Sequence, residues 1–220
     1  MEELNYEKSK NYWSNVSPSV DSMLGGYSCL TSMDIRDSNI FLKHLFRMKN
    51  GPSNVRVLDC GAGIGRITEN LLCKHFKYAD LLEQDEKFLK TAKQKLQGTN
   101  VDNFYCCGLQ EFMPINYQQY DVIWIQWVLG YITDDDLVKF LKRCCKLLSK
   151  NGVIVVKENI SQLEEGDLDS QDSSITRSFL KFCQIFEQAN LICTAKKTQQ
   201  NFPSELYQVE MFALKPANSE

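Results

Sequence analysis

The chain has 220 residues, 43% of them hydrophobic and 24% charged, which suffices for one sizeable domain with its own core and is cramped for two. A formal net charge of -3 gives no general attraction to nucleic-acid phosphate, so no nucleic-acid partner is expected. Nine cysteines include the neighbours Cys106-Cys107 and Cys144-Cys145 but no Cys-x-x-Cys pair, and Cys73 with His75 lacks a second ligand pair; reduced thiols and no metal are expected.

Met1 to Lys10 is polar and charged, and no run approaches the ~18 consecutive apolar residues of a membrane span. A soluble intracellular protein without a membrane partner is expected. Residues 1–50 carry helical character around Tyr6–Tyr12 and Ser38–Arg47, joined by the turn-prone Met23-Leu24-Gly25-Gly26-Tyr27, and are expected to pack across the ligand edge of a sheet as a lid. From Val55 onward, strand-like runs at Val55–Asp59, Asp80–Glu83, Asn103–Cys107, Asp121–Gln126 and Val153–Lys157 alternate with amphipathic stretches after Gly65, Glu86, Asp134 and Ser174. That alternation predicts right-handed βαβ crossovers, a parallel sheet covered on both faces, and ligands at the carboxyl ends of its strands. Gly61, Glu83, Gln110, Gln126 and Asn159 fall at such ends. Between Glu158 and Ser174 lies an acidic loop with Glu164, Glu165, Asp167, Asp169 and Asp172, before a helix expected to start near Ser173. Leu191–Thr198 and Leu206–Leu214 read as a closing hairpin around Asn201-Phe202-Pro203. The whole is expected to be a single domain, 1–220, with 1–50 as lid and 51–220 as core.

Leu58-Asp59-Cys60-Gly61-Ala62-Gly63-Ile64-Gly65-Arg66 carries the most specific chemistry: an apolar run ends in an acid and enters three alternating glycines before a helix. Glycine lets backbone N–H groups approach a ligand closely, and the helix aims its positive end at the same place. Arg66 stands where a dinucleotide fingerprint needs its third glycine. Glu83 closes the next strand 18 residues after Gly65, where an acid can take both hydroxyls of a ribose. With Asp59 beside the loop, a pyrophosphate would be repelled, whereas the cationic S-adenosylmethionine suits the site. A bare strand-to-helix turn with no ligand is the plainer alternative. Enzymes that methylate adenine amino groups are expected to show Asn/Asp-Pro-Pro-aromatic after the fourth strand; this chain has Gln126-Trp127-Val128-Leu129.

The glycine loop, Asp121-Val122-Ile123-Trp124-Ile125-Gln126-Trp127, Lys157-Glu158-Asn159 and Asp172-Ser173-Ser174 closely resemble the protein α-N-methyltransferases that modify Xaa-Pro-Lys N-termini. Tyr12-Trp13, Met23 to Tyr27, Cys106-Cys107-Gly108-Leu109-Gln110 and the segment around Tyr207 extend the resemblance over nearly the whole chain. It implies a Rossmann-like class I methyltransferase fold, α/β, with a seven-stranded mostly parallel sheet, a C-terminal antiparallel hairpin and an N-terminal helical lid. It also implies methyl transfer from S-adenosylmethionine, leaving S-adenosylhomocysteine, to the α-amino group of protein N-termini after removal of the initiator Met. Ribosomal proteins as partners, a monomer, and residence in cytoplasm or nucleus are further expectations of the resemblance. The alternative is a class I methyltransferase acting on a cationic small molecule.

Position by position, the resemblance places Gly61, Gly63, Arg66, Glu83, Leu109, Gln110, Gln126 and Trp13 at the cofactor, with Arg66 on its carboxylate and Glu83 on its ribose. Physics agrees for the two charges, since a guanidinium forks onto a carboxylate and a carboxylate accepts from two vicinal hydroxyls. Leu24, Gly25, Trp127, Asn159, Asp169, Asp172, Ser174 and Tyr207 are placed around the substrate's first three residues. Trp127 would wall a proline ring, Asn159 bond the peptide terminus, and Asp169 pair with lysine. Each has a bland alternative: Trp127 as core, Asp169 as a solvated acid, Asp172 as the N-cap of the following helix. The amine must present a free lone pair, so Asp172 is expected to collect its proton while Asn159 and Trp127 orient it. Many family members have a histidine where this chain has Tyr131, a group that relays or hydrogen-bonds but is a poor base at neutral pH.

Overall fold

Every residue of Tyr120–Gln126 is buried, the signature of a strand covered on both faces, and this strand (β4) is the middle of the molecule. Its alternate side chains feed two separate cores. Ile123 and Ile125 face one and Val122 and Trp124 the other, as a pleat of period two requires. The computed structural model describes residues 4–114 and 118–217, so the first three residues of the expected lid lie outside it.

Ahead of β4 run α1 (Tyr6–Asn15), α2 (Val20–Met23), α3 (Thr31–Arg47), β1 (Arg56–Cys60), α4 (Arg66–Asn70), β2 (Tyr78–Glu83), α5 (Glu86–Lys95) and β3 (Val101–Cys106). After it come α6 (Asp134–Leu147), β5 (Leu148–Ile160), β6 (Asp167–Asp169), β7 (Ser174–Thr176), α7 (Phe179–Gln188), β8 (Leu191–Thr198) and β9 (Gln208–Pro216). The seven-stranded sheet has the order β3-β2-β1-β4-β5-β9-β8, parallel from β3 to β5, with β9 antiparallel to both neighbours. The sheet is the one expected. Chain order reverses direction between β1 and β4, and the cleft outside their carboxyl ends is where such folds bind ligands.

Two expectations are corrected. Most of α3 is not lid: Phe41, Leu42 and Leu45 are buried against β1 and β4 in the second core, and each is worth roughly 1.5–3 kcal/mol out of water. Only α1, α2 and the turn that follows lie over the ligand edge. The helix expected near Ser173 starts at Phe179, with Ser178 accepting from the Lys181 amide as its N-cap. Residues Ser174–Thr176 instead form β7, paired with β6 in a small hairpin within the acidic loop. Ile175 and Thr176 are β-branched and suit a strand, so the capping reading of Asp172 falls.

Candidate active site

Gly61 and Gly63 adopt φ of 68° and 54°, and Gly65 φ of 77°. At Gly61 a Cβ would stand 2.5 Å from the Val128 side chain, so the turn and the closeness of β4's exit both require glycine. The amides point inward rather than at a ligand: Gly61 and Ala62 donate to the Leu82 carbonyl at 2.8 and 3.0 Å, and Gly63 donates to Glu83 Oε2 at 2.8 Å. The loop's service is therefore shape. Glu83 Oε1 accepts from the Asp85 amide at 2.9 Å, leaving lone pairs on both oxygens toward the cleft. Burial pushes its pKa up against these amide bonds.

Arg66 opens α4 almost wholly buried, and its Nη1 donates to Asp34 Oδ2 at 2.6 Å. Asp34, in the first turn of α3, also accepts from Gln126 Nε2 at 2.9 and 3.1 Å and from Lys157 Nζ. Desolvation raises the pKa of Asp34, but Lys157 and Arg66 outweigh it and hold the carboxyl below its usual range. Gln126 accepts in turn from the Trp124 indole at 3.0 Å, so its amide is fastened at both ends. Leu109 and Gln110 line the same cleft from the loop after β3, where Arg143 Nη2 holds their carbonyls at 2.8 and 2.9 Å. Tyr6, Ser9 and Trp13 of α1 close it from above.

Trp127 follows β4 with φ of 54°, a left-handed conformation costly for a bulky residue. Its ring divides the cleft in two. With Trp13, Met23 and Tyr131 it lines both the glycine-loop cavity and a second cavity walled by Leu24, Gly25, Asn159, Asp172, Ser174 and Tyr207. It is only partly buried and belongs to neither core, so the core alternative is excluded. Its Nε1 is buried with no hydrogen-bond partner among the described residues.

Asp172 sits in the turn between β6 and β7, its Oδ1 accepting from the Ser174 amide at 3.1 Å and its Oδ2 from Tyr131 Oη at 2.8 Å. Burial first, and the Asp172 charge second, push the Tyr131 phenol far up, so it stays protonated as a donor. The next residue, Ser173, accepts from the Asn5 amide at 2.8 Å, tying the start of the chain to this turn. Asp169 is exposed at the end of β6, outside the cavity wall, where its Oδ1 accepts from the Gln171 amide at 2.7 Å.

Residues without an expected role hold the acceptor side in place. Glu158 Oε1 accepts from the Val128 and Leu129 amides at 2.8 and 2.9 Å, and burial pushes its pKa up to about 7. Arg177, fully buried, donates to the Leu129 and Ile132 carbonyls at 2.6 and 2.5 Å and so fixes the short turn bearing Tyr131. Asp34 had no local signal, but Lys157 did: a lysine ending the apolar run Val153–Val156 must be buried and partnered or must snorkel. Among the described residues no group of three His, Cys, Asp or Glu is arranged to hold a metal, and no helix is long and apolar enough to cross a membrane.

Known proteins match this chain over nearly all of its length. Human N-terminal Xaa-Pro-Lys N-methyltransferase 1 is 46% identical over 215 residues, 96% of this chain and 95% of its own. The Xenopus laevis N-terminal Xaa-Pro-Lys N-methyltransferase 1-A is 46% identical over 214 residues with the same coverage. A solved S-adenosylmethionine-dependent methyltransferase of Leishmania major superposes with a TM-score of 0.89 at 38% identity, over 96% of this chain and 82% of that one. A magnesium protoporphyrin IX methyltransferase from Synechocystis, with bound S-adenosylmethionine, has a TM-score of 0.65 at 13% identity and shares the fold alone. The profile of the AdoMet dependent proline di-methyltransferases matches residues 1–215, and to that family of S-adenosylmethionine-dependent methyltransferases this chain belongs.

Proposed function

We propose that this enzyme methylates the α-amino group of proteins whose exposed N-terminus reads Xaa-Pro-Lys. The observation that carries the reading is the divided cleft: two cavities share the Trp127 wall, one with a ribose acid and a half-used guanidinium, the other with a carboxylate and a free amide. S-adenosylmethionine fits the first cavity, where it supplies an electrophilic methyl on a sulfonium. Glu83 keeps lone pairs for the ribose hydroxyls, and Arg66 keeps N–H groups beyond the one given to Asp34 for a carboxylate.

In the second cavity Asn159 makes no side-chain hydrogen bond among the described residues, and so its amide is available to the peptide terminus. Trp127 offers a flat wall to a proline ring, with Leu24 and Gly25 opposite. Asp172 collects the ammonium proton, because the Tyr131 hydroxyl and the Ser174 amide orient its carboxylate without neutralising it. An α-amino group with pKa ≈ 7.7–8.0 is already partly neutral near pH 7, so holding the nitrogen in line supplies much of the rate. Tyr207 lines the second cavity, and Asp169, exposed outside its wall, would pair with a lysine side chain that emerges past it. The same reading extends to a monomer working in cytoplasm, nucleus or both, with ribosomal proteins as candidate substrates.

The test is mass spectrometry after incubation with S-adenosylmethionine and three peptides: one beginning Pro-Pro-Lys, its N-acetylated form, and one with lysine only inside. Only the first is expected to gain mass. Methylation of the acetylated peptide would refute the α-amine as acceptor.

A further inference from the structure

The charges buried beneath the cofactor cleft do not balance. Asp34 and Lys157 are fully buried and Arg66 nearly so, and these three form one contiguous group of two cations and one carboxylate. Lys157 donates to Asp34 Oδ1, to Ser38 Oγ at 2.9 Å and to Gln199 Oε1 at 2.7 Å. Three acceptors match the three N–H groups of an ammonium, and the Asp34 charge favours that form against burial, which lowers the Lys157 pKa.

The other acids near the group are committed elsewhere. Asp37 is bonded by Gln199 Nε2 at 3.1 Å and the Gln200 amide at 2.8 Å, and paired with Lys197 and Arg36 at 3.4 Å each. Asp59 accepts from Thr68 Oγ1 at 2.6 Å, and burial pushes its pKa up to about 7. Glu83 is held by the Gly63 and Asp85 amides across the cleft.

Within the bonded trio two cations share one carboxylate, and Arg66 is the member that lines the cavity; Asp37 and Asp59 act on Lys157 and Arg66 only across space. Lys157 does not line the cavity. We infer that Lys157 is a positioning residue for the cofactor's carboxylate: by sharing Asp34, it keeps that acid from closing a neutral pair with Arg66 and leaves the guanidinium a net charge to offer. Both cations also flank the Trp127 ring, at 5.6 and 5.8 Å from its centre, so the same group steadies the wall between the two cavities.

The inference rests on the assignment of Arg66 to the carboxylate, and a binding experiment separates the two. Calorimetry would compare S-adenosylhomocysteine with its decarboxylated form on the intact enzyme and on Lys157→Met, Asp34→Asn/Lys157→Met, Lys157→Arg and Arg66→Met. In Lys157→Met the preference for the carboxylate-bearing ligand is expected to shrink roughly tenfold, by loss of one charge acting across low-dielectric protein. Removing Asp34 as well restores the lone Arg66 charge, so the double variant should regain most of the preference even where its melting temperature falls further. Lys157→Arg should keep it. A merely structural lysine would weaken both ligands alike and leave the double variant worse than the single one, and that result would overturn the inference. If Arg66→Met abolishes the preference while Lys157→Met does not, the inference fails and the Arg66 assignment stands. If Arg66→Met leaves the preference intact, the assignment itself is wrong.

Discussion

On the cofactor side of the cleft Gln126 is bonded at both ends, Asp34 takes three donors, and the glycine-loop amides are satisfied by Leu82 and Glu83; on the acceptor side, among the described residues, the Trp127 Nε1 is buried unpartnered and the Asn159 amide is free. A buried polar group left open costs about 1–3 kcal/mol. The framework of the donor half is thus bonded before any ligand arrives, with Arg66 N–H groups and Glu83 lone pairs kept for the cofactor, whereas the acceptor half carries an unmet demand that a peptide can satisfy. The scaffolds differ in the same sense. Parallel strand ends fix the first, while a hairpin of two three-residue strands carries much of the second.

This contrast is broken or sharpened most by Asp172→Asn, which keeps the shape of the turn and removes the base. It should lower kcat at saturating peptide by about 100-fold or more. S-adenosylhomocysteine affinity should hardly move, and a kcat within threefold of the native enzyme would remove Asp172 from the chemistry. Trp127→Leu is next: the peptide KM should rise about tenfold, with a change in cofactor affinity several times smaller. Equal losses for both would mean that the ring serves the donor half as much as the acceptor half.

The smallest expected effect concerns Glu158, whose carboxyl is raised from 4.5 to about 7 by burial. The folded protein therefore holds a proton there that the unfolded chain has released, and its contribution to stability is full below pH 4.5 and lost by about pH 7. Asp59 adds a contribution of the same sign from 3.8 to about 7. With about 2 kcal/mol from each group, the melting temperature should rise by roughly 10 °C as pH falls from 8 to 5.5. Glu158→Gln, which still accepts from the Val128 and Leu129 amides, should flatten that slope. An unchanged slope would mean that Glu158 is charged in the folded state at pH 5.5.

Much of this plan was readable before the structure. β4 announced itself as an apolar run because both faces are buried, and the glycine loop because its three left-handed turns exclude side chains. Ser173 misled because a serine after an acid caps helices and also turns hairpins; the pairing of Ile175 with Leu168 across the turn decided the matter, and pairing is not local. Asp34 was illegible for a related reason. Its donors lie 32, 92 and 123 residues away, and no periodicity in the sequence encodes an ion pair of that span.

The bond from the Asn5 amide to Ser173 bears on how the protein is handled. The residue next to Asp172 is gripped by the first described segment of the chain, and Tyr6 Oη donates to Asp136 of α6 at 2.7 Å beside it. A fusion or trimming at the amino end would reach the acceptor pocket directly and could pass for poor substrate recognition.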